Sequence, residues 1–108
     1  LKKLWEAGAK EVHVRPACPP LMFPCKFALS TRSLDELAAR RAIRAIEGHD
    51  KEDVSEYLDD RSDKYAKMVE WISCELDTTT LRFLRIDDMV QAIGLPREKL
   101  CLHCWMGK

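Results

Sequence analysis

Apolar residues recur along this chain with helical spacing in five places and with strand alternation in one. Leu1, Leu4 and Trp5 stand i, i+3, i+4 apart, which predicts a short helix already under way at the first residue. Gly8 follows as a natural stop, since glycine adopts positive φ without strain. Glu11 to Arg15 then alternates, with Val12 and Val14 on one side, and predicts a short strand. Helix, glycine turn and strand in this order read as half of a strand–helix–strand crossover, with its leading strand missing. Prolines at 16, 19, 20 and 24 forbid helix and disfavour a central strand. A rigid loop after a strand's C-terminal end is where α/β proteins place ligand contacts; a stiff connector is the plainer reading.

Ser33-Leu34-Asp35-Glu36 has the form of a capping box, serine followed three residues later by glutamate. It predicts a helix with Leu34, Leu37, Ala38, Ala42 and Ile46 on one face, ending at Gly48. Arg40, Arg41 and Arg44 fall mostly opposite and read as a solvated face. Asp50 as N-cap with Asp53 behind it restarts a helix carrying Val54, Tyr57 and Leu58. The polar run Asp59 to Asp63 breaks it. Tyr65, Met68, Val69 and Ile72 then set out another helix to about Cys74. Asp77 to Thr80 reads as a turn, Leu81 to Leu84 as a short strand, and Ile86 to Ile93 as a helix closed by Gly94. A last turn starts at Pro96, and the chain finishes Cys-Leu-His-Cys-Trp-Met-Gly-Lys. The expected fold is therefore α/β and helix-rich, with two short strands and four to five helices, over residues 1–108 as a single domain or fragment. A lone Val12–Val14 strand has unpaired edges, which invite association, so a homo-oligomer is expected.

Charge narrows the function. Lys plus Arg and Asp plus Glu are balanced at 18 each, which argues against a general binder of nucleic acid or anionic membrane. Tyr57, Tyr65 and Trp71 lack the basic groove that a base-stacking surface needs. No apolar run approaches membrane-span length, and no secretion signal precedes the first helix, so a cytoplasmic location is expected. The first residue is Leu1 rather than Met, so the numbered chain is expected to start downstream of where translation started.

Five cysteines change the picture most: Cys18, Cys25, Cys74, Cys101 and Cys104. Their odd number and the missing signal weigh against a disulfide framework. Cys101 and Cys104 form a Cys-x-x-Cys pair, a spacing that lets two thiolates converge on one metal or cluster. A redox dithiol is the alternative, but such pairs usually open a helix, and none is expected after this one. Cys25, in its proline-flanked loop, is a good third ligand. Cys18, in the same loop, is the candidate fourth. Cys74, at the end of an amphipathic helix, reads as a buried inert thiol. His103 reads as a spacer between the paired cysteines, His13 as a surface or partner-contacting strand residue, and His49 as a loop residue.

The stretch Glu-Ala-Gly-Ala-Lys-Glu-Val-His-Val-Arg, a following Pro-Pro pair and then Pro-Cys resemble the glutamine phosphoribosylpyrophosphate amidotransferases. So do Leu-Asp-Thr-Thr-Thr-Leu-Arg-Phe-Leu-Arg-Ile-Asp-Asp-Met-Val-Gln-Ala-Ile-Gly and the closing Cys-Leu-His-Cys-Trp-Met-Gly. The middle, about residues 41–74, matches poorly. The resemblance implies the C-terminal part of a type I phosphoribosyltransferase domain in an amidophosphoribosyltransferase of purine biosynthesis. That family makes phosphoribosylamine from glutamine and Mg-bound phosphoribosylpyrophosphate, and many members carry a structural [4Fe–4S] cluster. Carried over by position, the cluster ligands are Cys25, Cys101 and Cys104, the family's fourth ligand lying upstream. The family's phosphate-binding loop and N-terminal nucleophile have no counterpart here, so no catalytic residue is assigned. The isolated chain is expected to be inactive, and Mg belongs to the full-length enzyme only. Where the family has Pro-Cys-Phe-Tyr-Gly-Ile-Asp, this chain has Pro24-Cys25-Lys26-Phe27-Ala28-Leu29-Ser30. Cys18, where the family has serine, is a candidate to complete a four-cysteine site. The expected partners are the missing N-terminal catalytic parts or another copy of the chain. The other reading is a zinc-binding structural or protein-interaction module using the same cysteines. It would meet its partner through the helices around Leu34–Ile46 and Tyr65–Ile72.

Overall fold

The computed structural model describes all 108 residues. The most sustained helical pattern of the sequence gives its longest helix, Asp63–Leu76. Ser62 caps it, its hydroxyl accepting the Tyr65 N–H at 3.0 Å, and this satisfies one of the amides a helix start leaves unpaired. Asp77 closes it in the left-handed conformation, φ 53°. Numbered along the chain, the helices are α1 Lys2–Glu6, α2 Ala38–Glu47, α3 Ser55–Leu58, α4 Asp63–Leu76, α5 Ile86–Ile93 and α6 His103–Met106. Single 3-10 turns occupy Leu34–Glu36 and Arg97–Lys99. Strands β1 His13–Val14 and β2 Thr80–Leu81 pair in parallel, with His13 opposite Thr80 and Val14 opposite Leu81. The fold is α/β and helix-rich, as expected, with six helices instead of four to five; the additional ones are single turns.

The core lies where α2 crosses α4. Met68 and Ile72 of α4 pack with Ala39, Ala42 and Ile43 of α2, Val54, Tyr57 of α3, Leu81 of β2 and Met22 of the proline loop. Burial of a side chain such as Ile43 or Met68 contributes about 1.5–3 kcal/mol. Tyr57 is fully buried, yet its hydroxyl is not stranded. It donates to Glu47 Oε1 at 2.6 Å, and Lys64 Nζ donates to the same oxygen at 2.7 Å. Lys64, followed by Tyr57, holds the Glu47 carboxyl down at about 2. Burial, followed by Glu47, pushes the Tyr57 phenol up to about 12.

Parallel strands require a long crossover, and here α2, α3 and α4 supply it. The short ladder is extended at both ends: Thr79 N donates to Val12 O at 2.8 Å and Arg82 N to Val14 O at 3.2 Å. Val12 N donates to Thr79 Oγ1 at 2.9 Å. α1 buries none of its residues. It is tied down by Trp5, whose indole N–H donates to Asp77 O at 2.9 Å. None of the helices is long and apolar enough to cross a membrane.

Three local expectations are corrected. The Ser33 box makes no side-chain cap; Glu36 Oε2 accepts from Arg32 N instead, at 3.1 Å, and the α-helix starts only at Ala38 because Leu37 is extended. Asp50 is not an N-cap. Its carboxylate is taken by Arg44 Nε at 2.6 Å, and α3 starts at Ser55, whose N–H donates to Asp53 Oδ1 at 3.0 Å. The arginine face of α2 is not uniformly solvated: Arg40 is buried.

A candidate cysteine centre

Two distant segments meet at one corner of the molecule, the proline loop and the chain's last turn. The carbonyl of Cys104 accepts from both Met22 N, at 2.8 Å, and Phe23 N, at 3.0 Å. Phe23 then lies against the backbone at Gly107. A Cβ on Gly107 would sit 2.9 Å from Phe23 Cζ, and its φ is +77°, so steric room and backbone conformation both call for glycine there. The Phe23 and His103 rings are 6.0 Å apart, centroid to centroid. Leu102, between the two paired cysteines, is buried and anchors the turn.

Arg40 fastens this corner to the helical core. Its Nε donates to Met22 O at 2.6 Å and its Nη1 to Lys51 O at 2.7 Å. The guanidinium also stacks over Phe23, 5.0 Å from the ring centroid, a favourable cation–π contact. Burial lowers its affinity for the proton, with Asp50 opposing. No sequence signal distinguished Arg40 from Arg41 and Arg44. Its burial follows from its position facing Met22, a relation set by tertiary packing.

Docking brings Cys25 beside Cys104. The N–H groups of Leu29 and Phe27, with smaller help from the Cys104 thiol and the Ser30 N–H, hold the Cys25 thiol below its ordinary value. These amides converge because the loop turns back on itself: Ala28 N donates to Cys25 O at 3.0 Å and Ala28 takes a positive φ of 52°. Successive N–H groups around a left-handed residue form an anion-binding concavity of the kind found at phosphate and iron–sulfur sites. Burial, then the negative charge of Cys25 and that of Cys101, push the Cys104 thiol up. Cys25 and Cys104 are thus neighbours whose thiols influence each other.

The other predicted site residues fall elsewhere. Cys18 is half-buried in the proline loop. Cys74 is exposed rather than buried, because α4 runs on to Leu76 and turns that position to solvent. Cys101 is exposed and Cys104 half-buried. Contrary to expectation, a helical turn, α6, does follow Cys101, and Cys104 lies inside it. His13 is a strand surface residue bonded to Thr80 Oγ1 at 2.8 Å and Glu11 Oε2 at 3.0 Å. No three Cys, His, Asp or Glu side chains converge closely enough to coordinate a single ion. A tetrahedral zinc site needs all its sulfurs about 2.3 Å from one point. Thiolates are the soft donors that iron–sulfur clusters take, and a cluster spreads its ligands over several irons. Cys25, Cys101 and Cys104 supply donors of that type, three where a cluster held only by cysteines needs four.

No family model matches the chain, and no solved structure does. Curated relatives do. The amidophosphoribosyltransferase of Mycobacterium tuberculosis is 32% identical over 108 residues, all of this chain and 17% of the relative. The chloroplastic amidophosphoribosyltransferase of Glycine max is 30% identical over 108 residues, all of this chain and 15% of the relative. That of Bacillus subtilis is 29% identical over 97% of this chain and 18% of its own length. By sequence, and across its whole length, the chain is thus a relative of the amidophosphoribosyltransferases, spanning 15% to 18% of each of these three.

Proposed function

We propose that this chain is the cluster-holding, structural part of a phosphoribosyltransferase domain of the amidophosphoribosyltransferase type, a transferase of purine biosynthesis. The observation that carries the reading is the docking of the proline loop on the last turn, with Met22 N and Phe23 N both on the Cys104 carbonyl, at a corner braced by Arg40. In this role Cys25, Cys101 and Cys104 hold an iron–sulfur cluster by their sulfurs, and the cluster supplies a covalent tie between the proline loop and the last turn. The Leu29, Phe27 and Ser30 amides offset the negative charge that thiolates and sulfides bring. Arg40 and the Cys104 carbonyl set the approach of the two segments before any metal arrives. Cys18 stands outside the ligand set.

Transferring a phosphoribosyl group needs amides that cradle phosphate, a divalent cation and acidic groups on the ribose. No such constellation is assigned to these residues, so the 108-residue chain forms no phosphoribosylamine alone. The test is metal content and an absorption spectrum on protein purified without oxygen. Bound iron with a brown colour, lost in Cys25→Ala and kept in Cys18→Ala, supports the reading. Colourless protein with stoichiometric zinc, or iron retained in Cys25→Ala, sinks it. Product from ammonia and phosphoribosylpyrophosphate would overturn the assignment of a purely structural part.

A further inference from the structure

A broad concavity lies away from the cysteine corner. It is an open groove of about 830 Å³ between α4 and β2, floored by Tyr65, Val69 and Ser73 of α4 and by Leu81 and Phe83. Those three α4 residues stand four apart, so one stripe of the helix faces the groove while Met68 and Ile72 face the core.

The groove runs beside the unpaired edge of the sheet. The N–H groups of Thr80 and Arg82 are both directed to β1. Successive residues of a strand turn their backbone groups to opposite sides, so the N–H and C=O of Leu81 face away from β1. The sheet has two strands only, so β2 presents this edge without a neighbour.

Charge distinguishes the two ends of the possible occupants. Arg61 and Arg82 line the groove, and neither side chain has an ion-pair partner. Arg85 is already held by Asp60 at 2.7 Å, which leaves Glu70 as the one unpaired acid of the lining. We propose that this groove binds an extended acidic peptide segment, which adds as a strand beside β2 and places a carboxylate on Arg82. Main-chain bonds to Leu81 give the affinity and the arginines choose the side chains, as in other cases of strand addition.

The test uses the full 108-residue chain and a fluorescent, acetylated hexapeptide of alternating valine and glutamate. Saturable binding is expected, weakened about tenfold by Arg82→Glu, as the loss of one charge-assisted hydrogen bond predicts. Arg82 is exposed, so the circular dichroism of the variant should match the parent. Protection of Cys74, which lines the same groove, from alkylation by the bound peptide would support the location. Two control peptides separate the parts of the proposal. A lysine-for-glutamate peptide that binds equally well overturns the acidic preference. A peptide N-methylated at alternate residues that binds equally well overturns strand addition. Absence of binding overturns both, as does a dimer of the chain, seen by sedimentation, that Arg82→Glu dissolves, since a second copy would then be the occupant.

Discussion

The helical body and the cysteine corner are held together by different means. In the body, Ala42, Tyr57 and Met68 are completely buried, and the fixing force is removal of apolar surface from water. In the corner, Phe27 and Leu29 are 65% and 85% exposed, and the fixing contacts are directional: two amides on the Cys104 carbonyl and the Arg40 guanidinium on Met22 O. Burial tolerates small shifts, whereas hydrogen bonds fail steeply with distance and angle. The body therefore sets stability, and the corner sets geometry.

The strongest way to break this contrast is Tyr57→Ala. Removing a fully buried aromatic should cost about 3–5 kcal/mol, read as a drop in urea midpoint, and the corner should be lost together with the body. Arg40→Ala should be smaller, about 1–3 kcal/mol, because it leaves the Met22 and Lys51 carbonyls without their donors. Its signature should be local, with Cys25 alkylated faster while the helical circular dichroism is unchanged. Equal losses in both signals would show that the corner is not a separate unit.

Ala28→Gly should act in the opposite direction. A left-handed residue with a Cβ costs about 1–2 kcal/mol, so glycine should raise stability by up to that amount, measured by thermal melting. Glu47 provides the mildest probe. Its folded carboxyl lies at about 2, below the ordinary value near 4.3. Its contribution is therefore fully present above pH ~4.3 and lost as pH falls towards 2. Glu47→Gln should flatten the fall in urea midpoint between pH 5 and 2.

How far the sequence foretells each region follows from the same contrast. The run Tyr65, Met68, Val69, Ile72 and the run Ile86 to Ile93 predict α4 and α5 because period and burial coincide there. The same reasoning fails at Ser33 and Asp50, where a good capping residue has a competing use for its neighbours or its side chain. Cys101 and Cys104 are legible as a pair through their spacing, and Cys25 is joined to them in the sequence only by family resemblance. Arg40 is not, because its partners are two carbonyls, and a carbonyl is present at every residue. Ala28 is a middle case. The glycine that the resembling motif carries at its position is explained by the positive φ found there, and alanine keeps that conformation despite its Cβ.

The parallel pairing of β1 with β2 also fixes an order of events in time. Val12 and Thr79 are 67 residues apart in sequence, so joining them closes a loop whose entropic cost grows to about 4 kcal/mol by the (3/2)RT ln n rule. The helices α2, α3 and α4 all lie inside that loop and make their contacts locally. Pulse-labelled hydrogen exchange should therefore find α4 amides protected before those of Val14 and Arg82, as contact-order arguments require. The bonds from Met22 N and Phe23 N to Cys104 O join segments still further apart in sequence, so the same rule predicts that the last turn docks on the proline loop late.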